Sequence, residues 1–115
     1  MDGAVEWRPF LNVDPSLPLD FALNQNYPNP FNSGTTIEYT VGSSALESDQ
    51  NTVLDIWAVN GSLMRRLVDQ PKPPGRYTVT WNGRNDHGHP VASAVYLYRL
   101  RIGSHAKTQR LLLLK

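Results

Sequence analysis

Residues 36–41 read Thr36-Ile37-Glu38-Tyr39-Thr40-Val41, an alternation in which Ile37, Tyr39 and Val41 share one parity and Thr36, Glu38 and Thr40 the other. Successive side chains of a strand point to opposite faces, so this pattern buries one face of a sheet and leaves the other in water. Half-solvated sheets of that kind are antiparallel. Downstream, beyond a Ser-, Gly- and Asp-containing loop over residues 42–51, the run Thr52 to Val59 is apolar on both parities: Val53, Trp57 and Val59 against Leu54, Ile56 and Ala58. That is the pattern of a more central strand. Asn60-Gly61 then predicts a two-residue type I′ hairpin turn, because both residue types tolerate positive φ, and Ser62 to Val68 returns as the partner strand.

Pro71-Lys72-Pro73-Pro74-Gly75 interrupts the ladder, since proline donates no backbone hydrogen bond. Tyr77, Val79 and Trp81 next alternate with Thr78, Thr80 and Asn82, and a polar loop runs from Asn82 to Pro90. In Ala94 to Ile102 the residues Tyr96, Tyr98, Leu100 and Ile102 face one way and Leu97, Arg99 and Arg101 the other. Gly103-Ser104 turns the chain into a last strand, His105 to Leu114. With a further strand from Phe21 to Asn26, these runs predict an all-β chain of about seven strands in a two-sheet antiparallel sandwich, with a small barrel as the structural alternative.

Length and composition bound the function classes. One domain's worth of chain, 115 residues, is 40% hydrophobic and 18% charged. No apolar run reaches the roughly 20 residues of a membrane-spanning helix, so membrane insertion is not expected. Eleven basic and 10 acidic residues give a formal net charge of +1 without blocks, which supplies no footprint for nucleic acid. Cysteine is absent, which excludes disulfides, thiolate metal sites and cysteine nucleophiles and says nothing of compartment. Residues 1–10 have neither the basic nor the apolar region of a signal peptide, so export would require a signal further upstream. Pro9, Pro15, Pro18, Pro28 and Pro30 suit an extended connector over Arg8 to Pro30, while the folded module is expected over 21–115, with residues 1–20 a linker or the tail of a preceding domain.

Candidate chemistry is sparse. Asp86, His87 and His89 share one loop, but side chains bonding their own backbone already account for Asn85-Asp86-His87-Gly88, and a calcium cage from Asn82, Asn85 and Asp86 lacks carboxylates. Ser43, Ser44 and Ser93 sit in no nucleophile elbow, and Glu38, Glu47 and Asp49 form an acid–base pair only if a cleft holds them. No catalytic residue, metal ligand or cofactor is assigned. Trp57 and Trp81 fall within strands, so core packing is favoured over a sugar-stacking platform, and the same holds for Tyr96 and Tyr98.

The stretch Leu23-Asn24-Gln25-Asn26-Tyr27-Pro28-Asn29-Pro30-Phe31-Asn32 resembles the opening of the type A C-terminal sorting domain of the Gram-negative type IX secretion system. That family is similar to the immunoglobulin-like domain of flagellar hook-capping proteins. The likeness continues in order through Ile56 to Gly61, Pro74-Gly75-Arg76-Tyr77, Trp81 to Gly88, Val91 to Leu100, and the apolar tail Gln109-Arg110-Leu111-Leu112-Leu113-Leu114-Lys115. It departs at Ser33 (usually proline), Ala58 (usually aspartate), Ala94 (usually glycine) and Gln109 (often lysine). If that glycine serves positive φ or close approach, Ala94 implies a different bulge.

The resemblance implies an immunoglobulin-like antiparallel β-sandwich and a non-catalytic module at the C-terminus of a larger secreted protein. Its implied partners are the outer-membrane secretion machinery, a sortase-like peptidase and the preceding domain of the same chain. Its implied location is secreted or at the cell surface, reached through the periplasm. Sorting-signal candidates are Gly75, Tyr77, Val95, Tyr96, Arg110, Leu111, Leu112, Leu113, Leu114 and Lys115. The tail offers either an accessible edge strand or a free carboxylate for recognition, unless the last strand simply closes the sandwich. The alternative function is a carbohydrate- or protein-binding immunoglobulin-like accessory domain beside a secreted enzyme.

Overall fold

A computed structural model describes residues 20–42 and 51–115. The expected linker or tail up to residue 19 and most of the 42–51 loop, including Ser43, Ser44, Glu47 and Asp49, lie outside the described residues. Seven strands occur among those described: β1 (Ala22–Leu23), β2 (Thr35–Val41), β3 (Asn51–Ala58), β4 (Leu63–Pro71), β5 (Gly75–Trp81), β6 (Ala94–Ile102) and β7 (His105–Leu113). They form two antiparallel sheets, β1-β2-β5 and β4-β3-β6-β7. Two sheets packed face to face make an immunoglobulin-like β-sandwich and decide against the barrel.

Alternation sets which side chains fill the space between the sheets. Ile37, Tyr39 and Val41 of β2 meet Leu54 and Ile56 of β3, Trp81 of β5, Tyr96, Tyr98, Leu100 and Ile102 of β6, and Leu111 and Leu113 of β7 in one buried cluster. β3 lies between β4 and β6, as its two-sided apolar pattern requires. β6 and β7 pair without a register shift from Ala94–Leu113 to Ile102–His105, so Ala94 sits in an unbroken ladder and the anticipated bulge is absent there. Irregularity falls instead on the edge strand β4, where the register slips between Leu54 and Asp55 and between Ile56 and Trp57. Bulges twist an edge away from further pairing.

Three other expectations are corrected. The Asn60-Gly61 hairpin exists, but its turn is not type I′, because no residue other than glycine has positive φ. Gly61 N–H donates to Ala58 O at 2.9 Å, Ala58 N–H donates to Ser62 O at 2.8 Å, and only Gly61 takes a left-handed φ, of 94°. This is a three-residue loop ending in a glycine bulge, and Asn60 contributes through its side chain, whose Oδ1 accepts Ser62 N–H at 3.0 Å. The strand foreseen over Phe21 to Asn26 shrinks to Ala22–Leu23. The proline-rich reading of residues 21–30 as extended connector also fails, since Leu23 and Asn26 are buried and the whole stretch is bonded into the sandwich.

Gly61 and Gly34 should therefore respond differently to alanine. At Gly61 a Cβ meets open space but a left-handed φ, and Gly61→Ala should cost about 1–2 kcal/mol. At Gly34 the nearest atom is Trp81 O at 3.6 Å, an ordinary contact, and Gly34→Ala should be neutral or stabilise by about 0.5 kcal/mol through the unfolded chain. Urea denaturation of the two variants measures the contrast.

Candidate functional site

The sequence-derived candidates divide between the two sheets. Gly75 opens β5 opposite Val41, and Tyr77 two residues on stacks on Tyr39 with ring centroids 5.4 Å apart. The Tyr77 hydroxyl donates to Pro73 O, and Lys72 Nζ lies 5.0 Å from its ring centroid. This pair braces the proline-rich turn. The remaining candidates, Val95, Tyr96 and Arg110 to Lys115, gather where β6 begins and β7 ends, so Gly75 and Tyr77 belong to a different place in the fold.

Within that second group, burial follows parity. Leu111 and Leu113 enter the core with almost no exposure, Leu112 is half-buried opposite Val95 on the outer face, and Leu114 is 50% exposed. Arg110 and Lys115 are exposed. Tyr96 is buried edge-on against Trp81 at 5.5 Å, and its hydroxyl donates to Ala92 O at 2.6 Å. Tyr96, Leu111 and Leu113 therefore hold the fold and are not presented to a partner.

The expectation of an accessible edge at the tail is overturned for residues 110–114. The segment Gln25 to Asn32 runs along this edge and takes its outward backbone groups. Gln25 Nε2 donates to Arg110 O at 2.8 Å, and Leu112 N–H donates to Asn29 Oδ1 at 3.0 Å. Phe31 N–H donates to Leu112 O at 3.0 Å, Leu114 N–H donates to Phe31 O at 2.9 Å, and Asn32 Nδ2 donates to Leu114 O at 3.3 Å. Phe31 bridges Leu113 in the parallel sense and buries its ring against Trp81, centroids 5.6 Å apart. A depression of about 240 Å³ remains where the two segments meet, lined by Gln25, Asn29, Val95, Arg110, Leu111 and Leu112.

A buried polar network fixes the clamping segment before it reaches β7. Asn26 N–H donates to the Tyr98 hydroxyl at 2.9 Å, and that hydroxyl donates to Asn24 O at 2.6 Å. Asn26 Nδ2 donates to Thr35 Oγ1 at 2.9 Å, and Thr35 Oγ1 donates to Pro28 O at 2.9 Å. Buried amides and hydroxyls are tolerated because each finds a partner. Gln109, where the resembling family often has lysine, donates from Nε2 to Leu23 O at 3.0 Å and joins β7 to β1. Sequence reasoning missed Asn26, Asn29 and Gln109, since contacts between residues 72 to 86 positions apart leave no local signal.

The loop over residues 82–90 has its own structural use. Asn85 Oδ1 accepts both His87 N–H and His89 N–H at 3.0 Å, and Asp86 Oδ1 accepts Arg66 N–H at 3.0 Å on the edge of β4. No group of three or more histidine and carboxylate side chains positioned for a metal occurs among the described residues. Trp57 departs from its expected core role. It lies half-buried on the outer face, opposite Leu63 and Leu97, with the Arg99 guanidinium 5.9 Å from its ring. Next to it, Arg66 holds the buried Asp55 carboxylate through Nε at 2.8 Å and Nη2 at 3.0 Å. Trp57, Leu97, Arg99 and Thr108 line a depression of about 320 Å³.

This is an immunoglobulin-like sandwich whose first segment crosses from one sheet to close the far edge of the other. No family model and no curated protein matches the chain. Among solved structures the fold is similar to part of PorZ, an essential bacterial surface component of the type IX secretion system of Porphyromonas gingivalis. The TM-score is 0.54 at 22% identity, covering 79% of this chain and 11% of that one. It is also similar to part of dimeric latent PorU from the same organism, with a TM-score of 0.62 at 18% identity, covering 89% of this chain and 10% of that one. The chain thus spans about a tenth of each neighbour's length, and identities this low establish a shared fold.

The Tyr98 hydroxyl gives two testable outcomes. Tyr98→Phe leaves Asn24 O and Asn26 N–H without their buried partner and should destabilise the fold by about 1–3 kcal/mol in urea. Burial raises the Tyr98 pKa from 10.0 to about 12 and that of Tyr39, with help from Tyr77, to about 12. Because both folded values lie above 10.0, stability from these groups is intact below pH 10 and falls as pH rises towards 12, where the unfolded chain ionises first. Tyr98→Phe should flatten that alkaline slope in a pH series.

Proposed function

We propose that this chain is a non-catalytic module that directs a larger secreted protein across the outer membrane through type IX secretion machinery and into attachment at the cell surface. The observation that carries the reading is that the two most distinctive stretches of the family resemblance, Leu23 to Asn32 and Arg110 to Lys115, are bonded to each other over their length. A sorting signal placed on such a clamp has a fixed shape. The unburied side chains Leu114 and Lys115 project beyond the clamped edge, with Lys115 N–H held by Ser93 Oγ at 2.9 Å, and form the recognised tip. The fold likeness to a surface component of the type IX system supports the same context.

In this reading the partners are the secretion machinery, a sortase-like peptidase acting at the module, and the preceding domain of the same chain. The side chains of Asn82, Asn85 and Asp86 in the 82–90 loop are engaged with backbone N–H groups. A second reading, a carbohydrate- or protein-binding accessory domain, is favoured by one observation: Trp57 is partly accessible beside Arg99 in the outer-face depression.

The test fuses the whole chain behind a signal peptide and a reporter in a bacterium with type IX secretion. The intact fusion should reach the surface. A version with Leu114→Ser and Lys115→Ser, which keeps the backbone bonds of Leu114 to Phe31 and Asn32 and leaves the buried Leu111 and Leu113 in place, should stay in the periplasm while remaining folded. If the intact fusion also stays in the periplasm, the sorting reading fails, and binding of the chain to polysaccharides, with Trp57→Ala as control, becomes the deciding experiment.

A further inference from the structure

We infer that the outer face of the four-stranded sheet docks the module on an anionic lipid surface, without any part of the chain crossing it. The inference goes beyond the sorting reading and stands without it. Cross-strand register lays this face out in rows. Trp57 pairs with Leu63 on β4 and Leu97 on β6, and Leu97 pairs in turn with Arg110 on β7. Val95 and Leu112 form the row beyond, where Val59 joins Trp57 and Leu97 around the depression of about 320 Å³. On the other side of the Trp57 row lies Arg99, paired with Asp55 and Thr108, and then Arg101, paired with Val53 and Ala106. One half of the face is thus mainly apolar and the other charged.

The apolar half is open to solvent: Val59 is 69% exposed, Val95 40% and Leu63 38%. Contiguous exposed apolar side chains mark an interaction surface. Charge decides the partner. Asp55 is buried and held by Arg66, and Asp69 also pairs with Arg66, so both of these carboxylates are engaged away from the other arginines. No carboxylate lies within ion-pair distance of Arg99, Arg101 or Arg110 among the described residues. The face is therefore basic although the whole chain carries a formal charge of only +1, because the fold collects on one surface what the sequence disperses. A second copy laid face to face would set arginines against arginines, which is unfavourable. An added peptide strand finds no free edge here, since the 82–90 loop borders β4 and residues 25–32 border β7. A sheet face that mixes a tryptophan and aliphatic side chains with arginines fits a planar array of anionic headgroups. The apolar tips and the indole meet the acyl boundary, and the long arginine side chains keep their guanidinium groups among the phosphates.

Sedimentation of the full chain with lipid vesicles tests the docking. Vesicles of phosphatidylcholine with phosphatidylglycerol should bind it at least about tenfold more strongly than vesicles of phosphatidylcholine alone, since each basic side chain at an anionic leaflet strengthens binding several-fold. Arg99→Ala with Arg110→Ala should remove most of that preference. Val59→Asp, at a site already 69% exposed, should weaken binding to the anionic vesicles by a similar factor, and urea denaturation should show both variants folded like the parent. Equal binding to the two kinds of vesicle, binding to neither, or binding that ignores both sets of substitutions would overturn the inference. Displacement from the vesicles by soluble polyglutamate, with Val59→Asp binding as the parent does, would also overturn it and assign the face to an acidic protein. A chain that docks on anionic vesicles but is not exported would instead contradict the sorting function and leave the docking face standing.

Discussion

The outer edge of β7 is the constraint on which this domain turns. Leu111 and Leu113 must be buried to complete the core, and burial places the strand at the end of its sheet with one row of backbone donors and acceptors unpaired. An unpaired apolar edge is both a cost and an invitation to association. Residues 25–32 remove it by leaving the three-stranded sheet after β1 and crossing to the four-stranded one. The two sheets are consequently joined by backbone as well as by side-chain packing.

Polar side chains carry this crossing. Asn26 is buried because it ties the turn around Pro28 to Thr35 and Tyr98, and Asn29 reproduces with its side chain the acceptor that a neighbouring strand would have offered to Leu112. The same device appears at the other end of the sheet, where Asp86 supplies an acceptor to Arg66 N–H and its own N–H to Met64 O on the edge strand β4. Both outer strands of the four-stranded sheet are thus covered by irregular segments, and the two stretches that do so are among those that resemble the sorting-domain family.

Strand parity was legible in the sequence wherever one face is wet: Ile37, Tyr39 and Val41, and Tyr96, Tyr98, Leu100 and Ile102, all point inward as their alternation predicts. It was not legible in β3, where apolar residues on both faces hide that Trp57 points outward and Ile56 inward. Asn60-Gly61 specified a hairpin without specifying its loop length, since a left-handed glycine serves either turn. At the candidate site, the tail was visible as an apolar run. Its covering was not, because composition marks residues 21–30 as proline-rich connector and cannot show pairing across more than 80 positions. The family resemblance marked the covering segment as distinctive, and only the fold gives it a physical task.

Native-state amide exchange shows whether residues 25–32 close the edge of β7. Phe31, Leu112 and Leu114 amides should exchange as slowly as those in the centres of β3 and β6, opening only with the whole domain. Fast exchange at these three positions, with the β3 and β6 amides still protected, would mean that the edge is open and the clamp is not part of the stable fold.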